Sequence, residues 1–187
     1  MSIQGAWLHT PSRYADERGH FQEVFKLSAI RDQLGRNFEV KQVNQSVSKA
    51  GVIRGIHWAD VPPGQAKYVS CPRGSLWDVV VDLRVGSPTF GKWDAAVLSA
   101  ENGKSILISE GLGHAFLALE DETVANYLCN EPFNPRHEWG IDPLDDSIGI
   151  PFNELLPSGM SFTISQKDAE AMAFASALAE GKLPTFQ

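Results

Sequence analysis

With 187 residues, 43% apolar and 21% charged, the chain has the length of one domain and the apolar content to bury a core, which excludes a disordered or collagen-like chain. Sixteen Lys and Arg against 23 Asp and Glu leave a net charge of −7 with no basic block, which argues against a nucleic-acid or anionic-membrane surface and requires local cations for any anionic ligand. Two distant cysteines, Cys71 and Cys129, with no CxxC or Cys/His cluster, suit buried free thiols rather than zinc. The start lacks a signal-peptide pattern and no apolar run approaches the ~20 residues of a membrane span, so a cytoplasmic location is expected.

In chain order, short runs of period two or β-branched character predict strands over Ala6 to Thr10, His20 to Phe25, Glu39 to Val47, Val52 to Trp58, Lys67 to Pro72 and Leu76 to Leu83. Further strands are expected over Asp94 to Leu98, Ser105 to Ser109, His114 to Leu119, Val124 to Asn130 and Phe162 to Ile164. Asn102-Gly103 suits a type I′ hairpin, and Pro63-Gly64 and Arg73-Gly74 read as reversals linking antiparallel strands. Two helices are expected: Ser28 to Leu34, with Ser28 as its cap and a stop at Gly35, and Gln166 to Ala179, capped by Ser165 and ending at Gly181. The whole chain, 1–187, therefore reads as one all-β double-sheet jelly roll of cupin type with peripheral helices near both ends and ligands at its mouth.

Arg54 and His57 lie in a run, Val52 to Trp58, that otherwise reads as a buried strand. Residues three apart face opposite ways in a regular strand, so these two share a cavity only if Gly55 allows a bulge. A neutral imidazole titrating near ~6.5 suits a general base. Lys67 shares a strand face with Val69 and Cys71, pointing either into a cavity or, as an edge lysine, to solvent. Along Trp77 to Arg84, Asp78 and Asp82 occupy the face opposite Trp77 and Val79; there they are either pocket or surface carboxylates. His114 follows a Gly-rich turn and reads as a rim histidine, Tyr127 reads as a core or pocket tyrosine, and Asp168 fits a Ser-x-x-Asp cap without any catalysis. There is no HxH, HExxH, GxGxxG, P-loop or GxSxG, so no metal or nucleotide cofactor is expected and acid–base chemistry remains.

The segments Asp16-Glu-Arg-Gly-His-Phe21, Gln42-Val-Asn-Gln-Ser46, Arg54-Gly-Ile-His57, Gly64-Gln-Ala-Lys67, Trp77 to Arg84, Gly86 to Trp93, Leu98 to Asn102 and Glu110 to Phe116, in this order, resemble the dTDP-4-dehydrorhamnose 3,5-epimerase family. The resemblance runs from about Gly5 to Asp168. It implies a metal-free jelly roll, usually a homodimer exchanging N-terminal strands, that inverts C3, C5 or both in a dTDP-linked 4-keto-6-deoxyhexose. By motif it makes His57 the base, Asp168 its orienting carboxylate, Tyr127 the acid on the opposite face and Lys67 the cation beside the C4 carbonyl. Arg54, Asp78 and His114 become pocket residues, and Arg18, Glu23, Gln42 and Asn44 the nucleotide and dimer region. Phe133 stands where the family often has a second tyrosine, so a hydroxyl near the sugar is lost while an aromatic face remains. The chain also resembles relatives in antibiotic-sugar pathways that invert a single carbon. A 3,4-ketoisomerase on a similar jelly roll, a non-catalytic nucleotide-sugar binder and a metal-dependent cupin oxygenase are the competing expectations.

Overall fold

A computed structural model describes residues 1–156 and 159–186. It has the expected cupin-type jelly roll: two mainly antiparallel sheets, with short helices outside them. One sheet has the order β1 (Ala6–His9), β9 (Ser105–Ile108), β6 (Lys67–Arg73), β11 (Thr123–Cys129), β4 (Gln42–Ser48). The other has β12 (Glu138–Gly140), β5 (Val52–Ala59), β10 (Leu112–Ala118), β7 (Ser75–Asp82), β8 (Trp93–Ser99), with β13 (Thr163–Ile164) parallel to β5. A separate hairpin joins β2 (Arg13–Asp16) to β3 (Gly19–Gln22).

Three apolar layers hold this arrangement. Val69, Cys71 and Ile106 of the first sheet meet Leu76, Val80 and Phe116 of the second between the sheets. Helix α1 (Leu27–Leu34) sets Ile30 over Tyr68 and Leu107 on the outside of the first. The C-terminal segment covers Val79, Val81 and Leu117 on the outside of the second. Strand β7 is thus buried on both faces, which is why it reads as a nearly continuous apolar run, and each buried valine contributes about 1.5–3 kcal/mol.

A bulge occurs at Gly55, which meets the condition for Arg54 and His57 to share a cavity. His114 of β10 pairs with His57 and Phe116 pairs with Arg54, so a three-residue step along β5 is matched by a two-residue step along β10. The extra residue turns both Arg54 and His57 to the inter-sheet face, while Ile53, Ile56 and Trp58 pack outside. Gly55 has φ +107°, and a Cβ there would collide with the His114 carbonyl oxygen and lie 2.8 Å from Ala115 Cα. Gly55→Ala is therefore expected to destabilise the protein by about 2–5 kcal/mol through backbone strain and overpacking, measured by urea or thermal unfolding.

Several local expectations are corrected. Asn102-Gly103 is no type I′ hairpin: only Gly103 has positive φ, and the turn passes from β8 to β9, in different sheets. The Asn102 side chain instead holds the turn, its Oδ1 accepting the N–H groups of Ser99 and Lys104. Arg73-Gly74 likewise carries β6 to β7 in the other sheet. Ser28 is not a cap; α1 begins after Lys26, whose carbonyl accepts from Ile30 N–H, and burial of Ile30 fixes the helix without a side-chain cap. The C-terminal helix is two pieces, α2 (Gln166–Ala169) and α3 (Phe174–Ala179). Between them Met172 bridges to Ile141, and Phe174 N–H donates to Asp145, so tertiary hydrogen bonds replace helical ones. Strands β2 and β12 go beyond the expected set; both are short and lack a clear alternation.

Candidate active site

The bulge at Gly55 places His57 at one end of the gap between the sheets, where His57 Nε2 lies 2.6 Å from Asp168 Oδ1. The two are 111 residues apart in sequence and meet because β13 joins β5 and turns directly into α2. Ser165 caps α2, its Oγ accepting the Asp168 N–H at 3.1 Å. The expected cap is thus present, and it also aims the Asp168 carboxylate at His57. Burial pushes the Asp168 carboxyl up, but hydrogen bonds from His57, Ser165 and the Gly55 N–H together hold it below the usual carboxylate range. A charged acceptor at Nε2 favours the tautomer with its proton there, leaving Nδ1 with the lone pair.

Tyr127 faces His57 from the other sheet, and both line one pocket with Arg54, Ile53, Thr163 and Lys167. Its pairing partner on β4 is Asn44, and its ring meets that of His114 edge-on at 5.9 Å. Burial pushes its phenol well up, opposed by the hydrogen bond with Ser46 and the charge of Arg54, so it holds its proton at neutral pH. The side chain of Lys67 points inward on the face of Val69 and Cys71, opposite Cys129 across the ladder. Burial pushes its ammonium down, while the charges of Glu138 and Asp78 act to keep it protonated.

Asp78 is fully buried. Its Oδ1 lies 2.5 Å from His114 Nε2, and its Oδ2 has no hydrogen-bond partner among the described residues. Arg54 has no carboxylate partner among the described residues; its Nε donates to Ser48 Oγ at 3.1 Å and its Nη2 to the Val47 carbonyl at 3.3 Å. Its charge is therefore available to an anion. On the inner face of β4, Gln42 Nε2 donates to Asn44 Oδ1, and Gln42 Oε1 accepts the Phe133 N–H. Phe133 lines a neighbouring cavity of about 450 Å³ with Gln65, Glu131 and Glu138.

Of the residues singled out in the sequence, His57, Arg54, Tyr127 and Asp168 share one pocket, with Lys67, Asp78 and His114 in the interior beside it. Arg18 and Glu23 do not join them within the chain: Arg18 is paired with Asp16 in the exposed β2–β3 turn, and Glu23 lies 3.5 Å from Lys26. Sequence reasoning missed Ser46, Glu138 and Lys167. Ser46 was within reach of strand alternation, being two residues beyond Asn44, whereas Glu138 sits on a three-residue strand with no period to read. Both cysteines are free and buried, as expected.

The family described as dTDP-4-dehydrorhamnose 3,5-epimerase matches residues 1–176. The chain is 49% identical over 186 residues to a dTDP-4-dehydrorhamnose 3,5-epimerase of Mycolicibacterium smegmatis, covering 100% of this chain and 90% of that protein. It is 42% identical over 187 residues to a dTDP-4-dehydro-6-deoxyglucose 3-epimerase of Streptomyces bikiniensis, covering 100% and 93%. The solved rmlC epimerase of Mycobacterium tuberculosis superposes with a TM-score of 0.96 at 44% identity, over 100% of this chain and 92% of that one. With the sequence motifs, the jelly roll and the full-length match in agreement, the chain belongs to the dTDP-4-dehydrorhamnose 3,5-epimerase family.

Proposed function

We propose that this epimerase acts on a dTDP-linked 4-keto-6-deoxyhexose and inverts one or both of the carbons beside the ketone. The observation that supports this reading is an imidazole and a phenol on opposite walls of one pocket, His57 on β5 and Tyr127 on β11, the residue types that suit a base and an acid. Nδ1 of His57 takes the proton from carbon, the electron pair moves into an enolate, and Tyr127 returns a proton to the other face. Lys67 donates to the developing C4 oxyanion, where burial strengthens the interaction. The buried Asp78 side chain acts to raise the pKa of both Lys67 and Tyr127, favouring their proton-bearing forms.

Arg54, with Lys167 on the same pocket, supplies the local cations that a diphosphate needs against a net charge of −7. Arg54→Ala is expected to raise KM about tenfold or more, with kcat changed less, in steady-state kinetics. Gln42, Asn44 and Phe133, joined by two hydrogen bonds, are read as contacts for the nucleotide.

A homodimer fits the same reading. Strand β4 is a sheet edge, its outward Val43 and Val47 are 61% and 52% exposed, and Tyr14 and Phe21 on the separate β2–β3 hairpin are 64% and 67% exposed. A second copy covering these would bring Arg18 and Glu23 to its neighbour's nucleotide; sedimentation at micromolar concentration checks the mass. The chemistry is read as metal-free: His57 and His114 are each committed to a carboxylate, and no three His, Cys, Asp or Glu side chains form a ligand set among the described residues.

The test is proton NMR of dTDP-4-keto-6-deoxyglucose with the protein in D₂O. Loss of the C3 signal, the C5 signal or both, with inverted configuration, is expected; no exchange at either carbon would overturn the reading. A relocated ketone would instead indicate isomerisation.

A further inference from the structure

Delivery of a proton by Tyr127 leaves a phenolate inside the protein, and the surroundings of that oxygen are mostly unfavourable to it. The His114 ring edge and the Val69, Cys71 and Ala125 layer give no donor, and the nearby Asp78 carboxylate repels a second negative charge. Among the described residues the Tyr127 hydroxyl has one hydrogen-bonding partner, the Ser46 hydroxyl at 3.4 Å. Ser46 lies on the inner face of edge strand β4, paired with Ala125, two residues before Tyr127 on the adjoining strand. The next two residues of β4 hold the Arg54 guanidinium through the Val47 carbonyl and Ser48 Oγ. One strand therefore mounts both groups that favour a negative oxygen at Tyr127.

We propose that Ser46 is a positioning residue of the epimerisation, holding the Tyr127 hydroxyl toward the sugar and donating to the phenolate once its proton has gone. This rests on the assignment of Tyr127 as the acid. In the step concerned, the Tyr127 O–H bond breaks and its proton forms the new C–H bond with the enolate carbon, whose electron pair makes that bond while C4=O is restored. The Ser46 O–H then turns to the phenolate and the 3.4 Å separation closes toward the 2.5–2.7 Å typical of a hydroxyl on an anionic oxygen. The imidazolium of His57 and the phenolate of Tyr127 return to their resting forms by exchange with solvent.

The experiment follows exchange and inversion separately, using dTDP-4-keto-6-deoxyglucose in D₂O with the Ser46→Ala, Ser46→Thr and Tyr127→Phe proteins. Ser46→Ala is expected to slow inversion about tenfold, the loss of one hydrogen bond to a charged group, while exchange at the same carbon and KM stay within about twofold. Ser46→Thr keeps the hydroxyl, suits a strand and is expected to restore inversion to within about twofold of the parent. The proposal is overturned if Ser46→Ala inverts at the parent rate, if exchange and inversion fall together, or if threonine rescues no better than alanine. Tyr127→Phe separates the two levels. Should it leave the ratio of exchange to inversion unchanged, the acid assignment fails and this inference with it; should it move that ratio while Ser46→Ala does not, Ser46 alone is wrong.

Discussion

His57→Asn is expected to lower deuterium exchange at the sugar carbons about a thousandfold, within the range supplied by a positioned general base. Asparagine is close to imidazole in size, and its amide N–H can still donate to Asp168, which needs a donor because it is 6% exposed and accepts from His57 at 2.6 Å. What the variant lacks is a titratable lone pair in the place of Nδ1. The fold should survive, since His57 is about one quarter exposed and its inward face borders a pocket rather than packed core. Thermal unfolding close to that of the parent, alongside lost exchange, would separate chemistry from stability. Exchange at the parent rate in His57→Asn would require another base.

Tyr127→Phe is expected to lower inversion at least a hundredfold while deuterium exchange continues, because His57 can remove a proton and return a deuteron to the same face. The ring and its edge-on contact with His114 at 5.9 Å are retained. Only the hydroxyl is removed, and its one partner among the described residues is the half-buried Ser46, so the cost in stability is about 1 kcal/mol. Product configuration read with isotope content distinguishes the outcomes. Equal losses of exchange and inversion would place Tyr127 in binding or packing rather than in proton delivery.

Much of the candidate site was legible because strand alternation assigns side chains to faces from residue order alone. That Lys67, Val69 and Cys71 share one face, and that Trp77 and Val79 oppose Asp78 and Val80, follows from period two; which face turns inward does not, and only the packing of the two sheets decides it. Gly55 was legible as a condition: Arg54 and His57 share a cavity only if the strand bulges there, and the positive φ of Gly55 with the register shift supplies that bulge. The Ser165 cap was equally local, four residues in one turn.

The remainder depended on which strands become neighbours, which local pattern does not encode. Asp168 reads as part of the Ser165 capping pattern and is that and more, because only the β13–β5 pairing brings it to a histidine 111 residues earlier. Turns that read as hairpins carry the chain between sheets, since a reversal looks the same in sequence whether its strands pair or part. The C-terminal helix breaks at Met172 because contacts with Ile141 and Asp145 outweigh the propensity of an Ala-rich segment. The sequence by itself determined the residue chemistry, the faces and the strand-rich architecture, all consequences of side-chain type and period. Only the assembled sheets bring Asp168 to His57, set Tyr127 across the gap from it, and place Ser46 of β4 beside Tyr127 while Arg54 of β5 is held against the same edge strand. Each of these is set by strand order, and strand order is fixed by burial of the whole chain rather than by any one segment.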